Sequence, residues 1–222
     1  MAVLQELYLA WEAESAAWPL ACGPGCSVCC TGRLNLTGLE ARLLARGIRA
    51  AGGEELWQKA LALPLAADSP PSTINQLAAL CLAGGEPPAE EAGPPASGRC
   101  LFLAEGLCRV YQARPLVCRI MVSRQRCHTE DAAAQDAWWL TLGLAWSQLV
   151  EHAAQGEVYG PLARVLAAVE GRAPGDLAVC RPAPAFPAPP EHQAPLQEVL
   201  GRVLARPVLG RPLGEWLSRG WR

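Results

Sequence analysis

The sequence has almost no lysine and no surplus of positive charge. Lys59 is its only lysine, and 19 basic residues stand against 21 acidic ones, which gives a formal net charge of −2. A protein that binds nucleic acid through its backbone neutralises many phosphates with basic side chains. The composition therefore disfavours nucleic-acid binding.

Long apolar runs and an export signal are also missing. The longest apolar run, from Trp138 to Val150, is shorter than the roughly 20 residues that cross a bilayer. The first residues include no basic region, and Glu12 and Glu14 interrupt the apolar stretch, so the segment is not a secretory signal peptide. We expect a cytoplasmic protein that does not enter a membrane.

Several common enzyme motifs are absent. The sequence contains no Gly-rich phosphate loop, no Gly-x-Ser-x-Gly and no His-Glu-x2-His. Its length of 222 residues, 51% of them hydrophobic, is enough for a folded domain with an appendage. We predict a cysteine-rich helical domain over residues 1–178, a Pro-rich linker over 179–195 and a C-terminal appendage over 196–222.

The periodicity of apolar residues predicts a mainly α fold, a single helical domain with a small β-hairpin in its cysteine-rich region. The hairpin is expected where Cys100–Leu103 and Leu107–Tyr111 flank Gly106. Thr129 is a candidate cap for the longest helix. Helices are expected over residues 3–18, 38–51, 54–63, 74–82, 129–155 and 160–170.

What the sequence does have is ten cysteines, eight of them in two groups. In a reducing compartment, grouped cysteines more often bind metal or do redox work than form disulfides. A Cys-x2-Cys spacing lets one loop present two thiolates to one centre. We therefore predict that eight cysteines bind a metal or cofactor: Cys22, Cys26, Cys29 and Cys30 in the first group, and Cys100, Cys108, Cys118 and Cys127 in the second.

The adjacent pair Cys29-Cys30 leaves the number of centres open. Neighbouring side chains diverge, so one thiolate can bind a first centre while the other binds a second centre or another corner of a cluster. Cys81 and Cys180 stand apart from both groups, and we expect neither to be an essential ligand. Cys81, between Leu80 and Leu82, is expected to be a buried core residue.

Arginines accompany the second group. Six lie between Arg99 and Cys127, against the single acid Glu105. They could stabilise the negative charge of bound thiolates or bind a small anionic substrate, or they could be ordinary surface residues.

Three functions fit this pattern. An iron–sulfur cluster, most simply 4Fe-4S, would act in electron transfer with a redox partner protein, and a zinc site would serve a structural or interaction module, since thiolates suit both. We favour iron–sulfur, because His128 is the only histidine near the cysteines in sequence. Cys22-x3-Cys26-x2-Cys29 with Gly84-Gly85-Glu86 is also compatible with a radical SAM enzyme, but that fold needs repeated strand–helix units.

Four motifs resemble the YkgJ-type cysteine-cluster family: Cys22-x3-Cys26-x2-Cys29-Cys30, Cys100-Leu-Phe-Leu103, Gly106-Leu-Cys108-Arg-Val-Tyr111 and Tyr111-x2-Arg114-Pro115-x2-Cys118-Arg119. That family is described as zinc- or iron-chelating, and its members are often labelled iron–sulfur oxidoreductases. The family commonly opens with Cys-x2-Cys, one residue shorter than the spacing here. The resemblance implies a metal site between Cys22 and about Cys127, and it leaves open whether the protein is an enzyme.

Overall fold

The protein is built mainly from α-helices. The structure, a computed structural model, describes residues 1–32, 34–64, 72–88, 99–127, 133–172 and 176–218. In these ranges the helices are α1 (Ala2–Ser15), α2 (Gly38–Leu61), α3 (Ile74–Leu82), α4 (Leu116–Ile120), α5 (Ala137–Ala153), α6 (Leu162–Val169), α7 (Pro190–Leu204) and α8 (Leu213–Ser218). The strands are β1 (Asn35–Thr37), β2 (Leu103–Ala104), β3 (Leu107–Cys108), β4 (Val158–Pro161), β5 (Ala178–Val179), β6 (Pro207–Val208) and β7 (Arg211–Pro212). The predicted fold class, mainly α, is confirmed.

The described strands form small antiparallel sheets. β4 lies between β1 and β5, with Leu36 opposite Gly160 and Tyr159 opposite Ala178. β6 pairs with β7 near the C-terminal end of the described chain. Within the described ranges the sheets offer none of the parallel strand–helix repeats that a radical SAM fold requires, so the fold does not support that alternative.

The predicted hairpin is present. β2 pairs with β3, so that Leu103 lies opposite Cys108. The two turn residues Glu105 and Gly106 both have positive φ, 50° and 78°. Two consecutive residues of this kind form the turn whose twist matches a tight hairpin, and glycine adopts the conformation without strain.

The α2 element contains the two helices predicted over residues 38–51 and 54–63, with a kink between them. Thr37 caps it, because its hydroxyl accepts a hydrogen bond from the Glu40 backbone N–H and the Glu40 carboxylate accepts one from the Thr37 N–H. Helix is expected to stop near residue 51 and restart at 54, and the structure agrees, because Gly53 has a non-helical backbone with φ of 60°. Glycine tolerates this backbone, so the chain kinks there between two helical segments.

The α5 helix starts later than predicted. Asp136 caps it, with its Oδ1 accepting from the Trp139 N–H at 2.8 Å. Thr129, the expected cap, lies outside the described residues. Further along α5, the fully buried Trp146 donates from its indole nitrogen to the Leu7 carbonyl at 2.9 Å and packs edge-on against Trp11 of α1.

The core has two apolar clusters. The first joins α1 and α5 to α7 and α8, and the second joins α2 and α6 to Phe102 and Val110 of the cysteine-rich region. α7 begins at Pro190, inside the segment predicted as a linker, and its Leu196 and Val203 are buried in the first cluster. None of the described helices is both long and apolar enough to cross a membrane.

Candidate metal centre

The first cysteine group lies on a loop without helix or strand. Two tight turns shape it: the Cys26 N–H donates to the Gly23 carbonyl at 3.0 Å, and the Cys30 N–H donates to Ser27 at 3.1 Å. Gly25, with φ of 86°, permits the first turn. All ten cysteines are free thiols, and Cys26 and Cys29 are exposed.

The hairpin lies against this loop. The Cys100 N–H donates to the Cys30 carbonyl at 3.0 Å, and an isolated bridge pairs Thr31 with Arg99. A Cβ built on Gly106, at the hairpin turn, would be 3.6 Å from the Gly25 Cα. Cys100 and Cys108 are therefore held beside the first group, although some 70 residues of sequence separate the two groups.

The segment after α4 contacts the loop from another side. The Ser123 N–H donates to the Cys22 sulfur at 3.2 Å, and the Cys29 sulfur lies 3.8 Å from the Met121 carbonyl oxygen. Cys127 follows four residues after Ser123. Three separate parts of the chain thus carry the predicted ligands to one region.

The electrostatics of the thiols show which of them are neighbours. Burial raises the pKa of Cys30, and Cys100, Cys108 and Cys26 raise it further. Burial is also the main cause that raises the pKa of Cys118 to about 12, with smaller contributions from Cys100, Cys108 and Cys30. Such thiols are protonated at neutral pH, so a metal that binds them must displace their protons.

The remaining first-group thiols form a similar set. Burial raises the pKa of Cys22, and among thiols Cys26 and then Cys29 add to it. The pKa of Cys29 is raised by burial first and then by Cys30, Cys26 and Cys127. Each of the eight predicted ligands is therefore an electrostatic neighbour of at least one other.

The donor set, eight free thiols, fits a soft metal in its chemistry. As placed, no three Cys, His, Asp or Glu side chains within the described ranges already form a closed ligand set. Binding a metal would therefore require the neighbouring thiols to turn toward a common point. His128, the nearest histidine in sequence, lies outside the described residues.

A buried carboxylate fixes the helix that carries Cys118. Glu40, 4% exposed, accepts from the Tyr8 hydroxyl at 2.9 Å and from the Leu116 N–H at 2.8 Å. Burial, followed by the charge of Glu40, raises the pKa of Tyr8 well above its usual value, so the phenol keeps its proton and donates. The capping-box pattern reveals the local role of Glu40, but no sequence signal indicates its contact with Leu116.

Arg119 anchors the same helix through contacts with groups other than the thiols. Its guanidinium donates to the Gln112 carbonyl at 2.7 Å and to the Arg114 carbonyl at 3.1 Å, and it pairs with Glu12. It also lies over the ring of Tyr8, 4.1 Å from the centroid. Arg119 thus connects α4 to α1.

Other arginines of the region also contact groups other than the thiols. Arg114 stacks on Tyr111 at 3.6 Å, and Arg109 donates to the Ala51 carbonyl at 3.1 Å. Arg124 pairs with Asp136 at 3.0 Å. These contacts favour a structural role for the three side chains over compensation of thiolate charge.

The prediction that Cys81 is a core residue is wrong, because its side chain is exposed. On the short helix α3 the buried positions are Asn75 and Ala78, and the apolar neighbours Leu80 and Leu82 are exposed as well. Cys180 is 1% exposed, with its sulfur 3.7 Å from the Val158 carbonyl oxygen, and burial raises its pKa.

The histidines further along the chain have structural contacts. His152 is half-buried, with Nε2 2.7 Å from the Leu217 carbonyl oxygen and Nδ1 accepting from the Ala183 N–H at 3.1 Å. His192 Nδ1 lies 2.8 Å from the Thr141 hydroxyl. Both rings connect α5 to the C-terminal part of the chain.

Replacing Cys81 or Cys180 with serine should leave the metal content of the purified protein unchanged. Neither residue is a cause of the raised pKa of any first- or second-group thiol described above. Metal analysis of each variant checks this. Loss of stoichiometric metal in either one would contradict the predicted ligand set.

Free thiols from three chain segments, brought together on a helical scaffold, define a cysteine-cluster metal-binding protein. Residues 21–137, just over half of the chain, match the CxxCxxCC family, described as "Putative zinc- or iron-chelating domain". The chain belongs to this family, and the predicted resemblance is confirmed. Comparison with curated proteins and with solved structures found no match.

Proposed function

We propose that the protein holds iron–sulfur clusters through its grouped cysteines and transfers electrons to or from a partner. The observation that carries this proposal is the presence in one region of eight free thiols from three chain segments, each the neighbour of at least one other. Thiolates are the usual ligands of such clusters, which supply one-electron transfer when bound. The residues of this chain would hold the cluster, set its exposure and donate backbone hydrogen bonds to its sulfur ligands.

The position of the thiols suits exchange with a redox partner protein. Cys26 and Cys29 are exposed, and the apolar side chains of Val28 and Met121 beside them are 40% and 42% exposed. An electron-transfer partner needs only a small contact surface close to the cluster. We propose that this partner docks on this face and that the protein acts in the cytoplasm.

Zinc is the second candidate, and a specific observation favours it. The loop carrying Cys22 to Cys30 has no regular secondary structure, and its residues are half-buried or exposed. A metal that joins such a loop to the hairpin would stabilise both, as structural zinc does. The same thiolates serve either metal, so analysis of the bound metal must decide.

Anaerobic purification followed by iron, sulfide and zinc analysis tests the proposal. We expect iron and acid-labile sulfide in equal amounts and a visible absorbance that a chemical reductant bleaches. A colourless protein that contains zinc and no sulfide would replace the iron–sulfur proposal with the zinc one. Cys118→Ser should lose part of the absorbance, whereas the matched variant Cys81→Ser should keep all of it.

A further inference from the structure

We infer that the eight cysteines form two separate four-thiolate centres. This inference rests on the proposed metal-binding function and assigns each ligand to a centre. The loop centre consists of Cys22, Cys26, Cys29 and Cys127. The hairpin centre consists of Cys30, Cys100, Cys108 and Cys118.

The hairpin centre is organised by backbone pairing. The Cys30 carbonyl accepts from the Cys100 N–H at 3.0 Å, and the Cys100 carbonyl accepts from the Leu103 N–H at 3.0 Å. Leu103 in turn pairs with Cys108 across the hairpin. Cys30, Cys100 and Cys108 thus belong to one continuous hydrogen-bonded unit.

The fourth member of the hairpin centre comes from α4. The thiols that contribute most to the raised pKa of Cys118 are Cys100 and Cys108, followed by Cys30. Cys100 and Cys108 also pack against the second apolar cluster, so these ligands are partly shielded from solvent. The centre therefore lies between α4 and the hairpin.

The loop centre is organised by the segment after α4. Cys22 contacts Ser123 and Cys29 contacts Met121, so both sulfurs lie along the same short stretch that leads to Cys127. The electrostatic neighbours agree, because Cys26 and Cys29 act on Cys22, while Cys26 and Cys127 act on Cys29 together with its chain neighbour Cys30. None of the second-group cysteines except Cys127 is among the named causes of the pKa shifts of Cys22 and Cys29.

The adjacent residues Cys29 and Cys30 form the junction between the centres. The Cys30 carbonyl accepts a hydrogen bond from Cys100, at the start of the hairpin segment, whereas the Cys29 sulfur contacts the Met121 carbonyl. A tetrahedral zinc site and a 4Fe-4S cluster each use four thiolates. Eight neighbouring thiols therefore complete two sets and leave none over.

Titration of the reduced, metal-free full-length protein with Co2+ tests the assignment, because cobalt bound by four thiolates has strong charge-transfer absorbance. We expect two Co2+ per chain. Cys127→Ser should disable only the loop centre and Cys108→Ser only the hairpin centre, so each single variant should keep one fully bound Co2+. The double variant should bind none with full thiolate absorbance, and Cys81→Ser should behave as the unmodified protein does.

The possible results of the Co2+ titration distinguish failure of the two-centre assignment from failure of metal binding itself. One Co2+ per unmodified chain, lost in both single variants, would overturn the two-centre assignment and leave metal binding intact. Absence of any tight Co2+ binding by the unmodified protein would refute metal binding itself. The stoichiometry of the unmodified chain decides between one centre and two even where a variant fails to fold, and helical circular dichroism identifies such a variant.

Discussion

Replacing Glu40 with alanine should lower the free energy of unfolding by about 4 kcal/mol, because several buried donors lose their acceptor together. The carboxylate accepts from the Tyr8 hydroxyl, the Thr37 N–H and the Leu116 N–H at 2.8–2.9 Å. Each buried donor left without a partner costs about 1–3 kcal/mol. Denaturant unfolding of the metal-loaded protein measures the change.

Two companion variants show whether the acceptor or the side-chain volume matters. Tyr8→Phe removes a single donor and should cost about 1 kcal/mol. Glu40→Gln keeps the size but turns an amide N–H2 toward donors, so its cost should fall between those of the other two variants. If the free energy of unfolding of Glu40→Ala lies within about 1 kcal/mol of that of the unmodified protein, the network does not hold α4 in place.

Removing the metal should disorder the cysteine-rich region and leave most of the helices intact. The helices α1, α5 and α7 share the first apolar cluster, which contains none of the eight predicted ligands. The loop and hairpin have much less apolar contact, and structural zinc sites contribute about 10–16 kcal/mol of apparent binding free energy. We therefore expect helical circular dichroism to persist and trypsin to cut after the exposed Arg109, Arg124 and Arg126.

Trypsin should cut the cysteine-rich region of the metal-free protein about tenfold faster than that of the metal-loaded protein, which corresponds to about 1.4 kcal/mol of lost protection. Cleavage after Arg202, which is exposed on α7, is the internal control and should not change. If the metal-free protein resists trypsin at Arg109 and Arg124 as well as the loaded protein does, the site does not organise the structure. Its role would then be redox or catalytic alone.

The helices and the hairpin were accessible to sequence reasoning because local rules determine them. Thr73 caps α3, whose bounds Ile74–Leu82 agree with the prediction, and Gly106 marks the hairpin turn. The helix break at Gly53 was accessible as well, because glycine adopts the positive φ that interrupts a helix. The exposure of Cys81 was missed, because its apolar neighbours suggest burial, whereas the packing of α3 buries Asn75 and Ala78.

From the sequence, the candidate site could be predicted only as two groups of cysteines, without their arrangement in space. Spacing identified the thiols as grouped, but it could not show that Cys127 lies with the first loop or that Cys30 lies with the hairpin. Both depend on hydrogen bonds between segments about 70 to 100 residues apart, such as Cys30 to Cys100 and Cys22 to Ser123. Sequence reasoning left Arg119 among six arginines that could balance thiolate charge, bind an anion or lie at the surface, whereas the structure buries it against Tyr8 and Glu12.

The sequence by itself determined the mainly helical class, the hairpin and the family, because capping residues, turn residues and cysteine spacing act over a few neighbouring positions. The tertiary structure decided which thiols become neighbours and which side chains hold them there. A buried carboxylate such as Glu40 joins α1, α2 and α4 only after those helices have packed. Contacts of that kind depend on where distant segments meet, and local sequence patterns do not encode that meeting point.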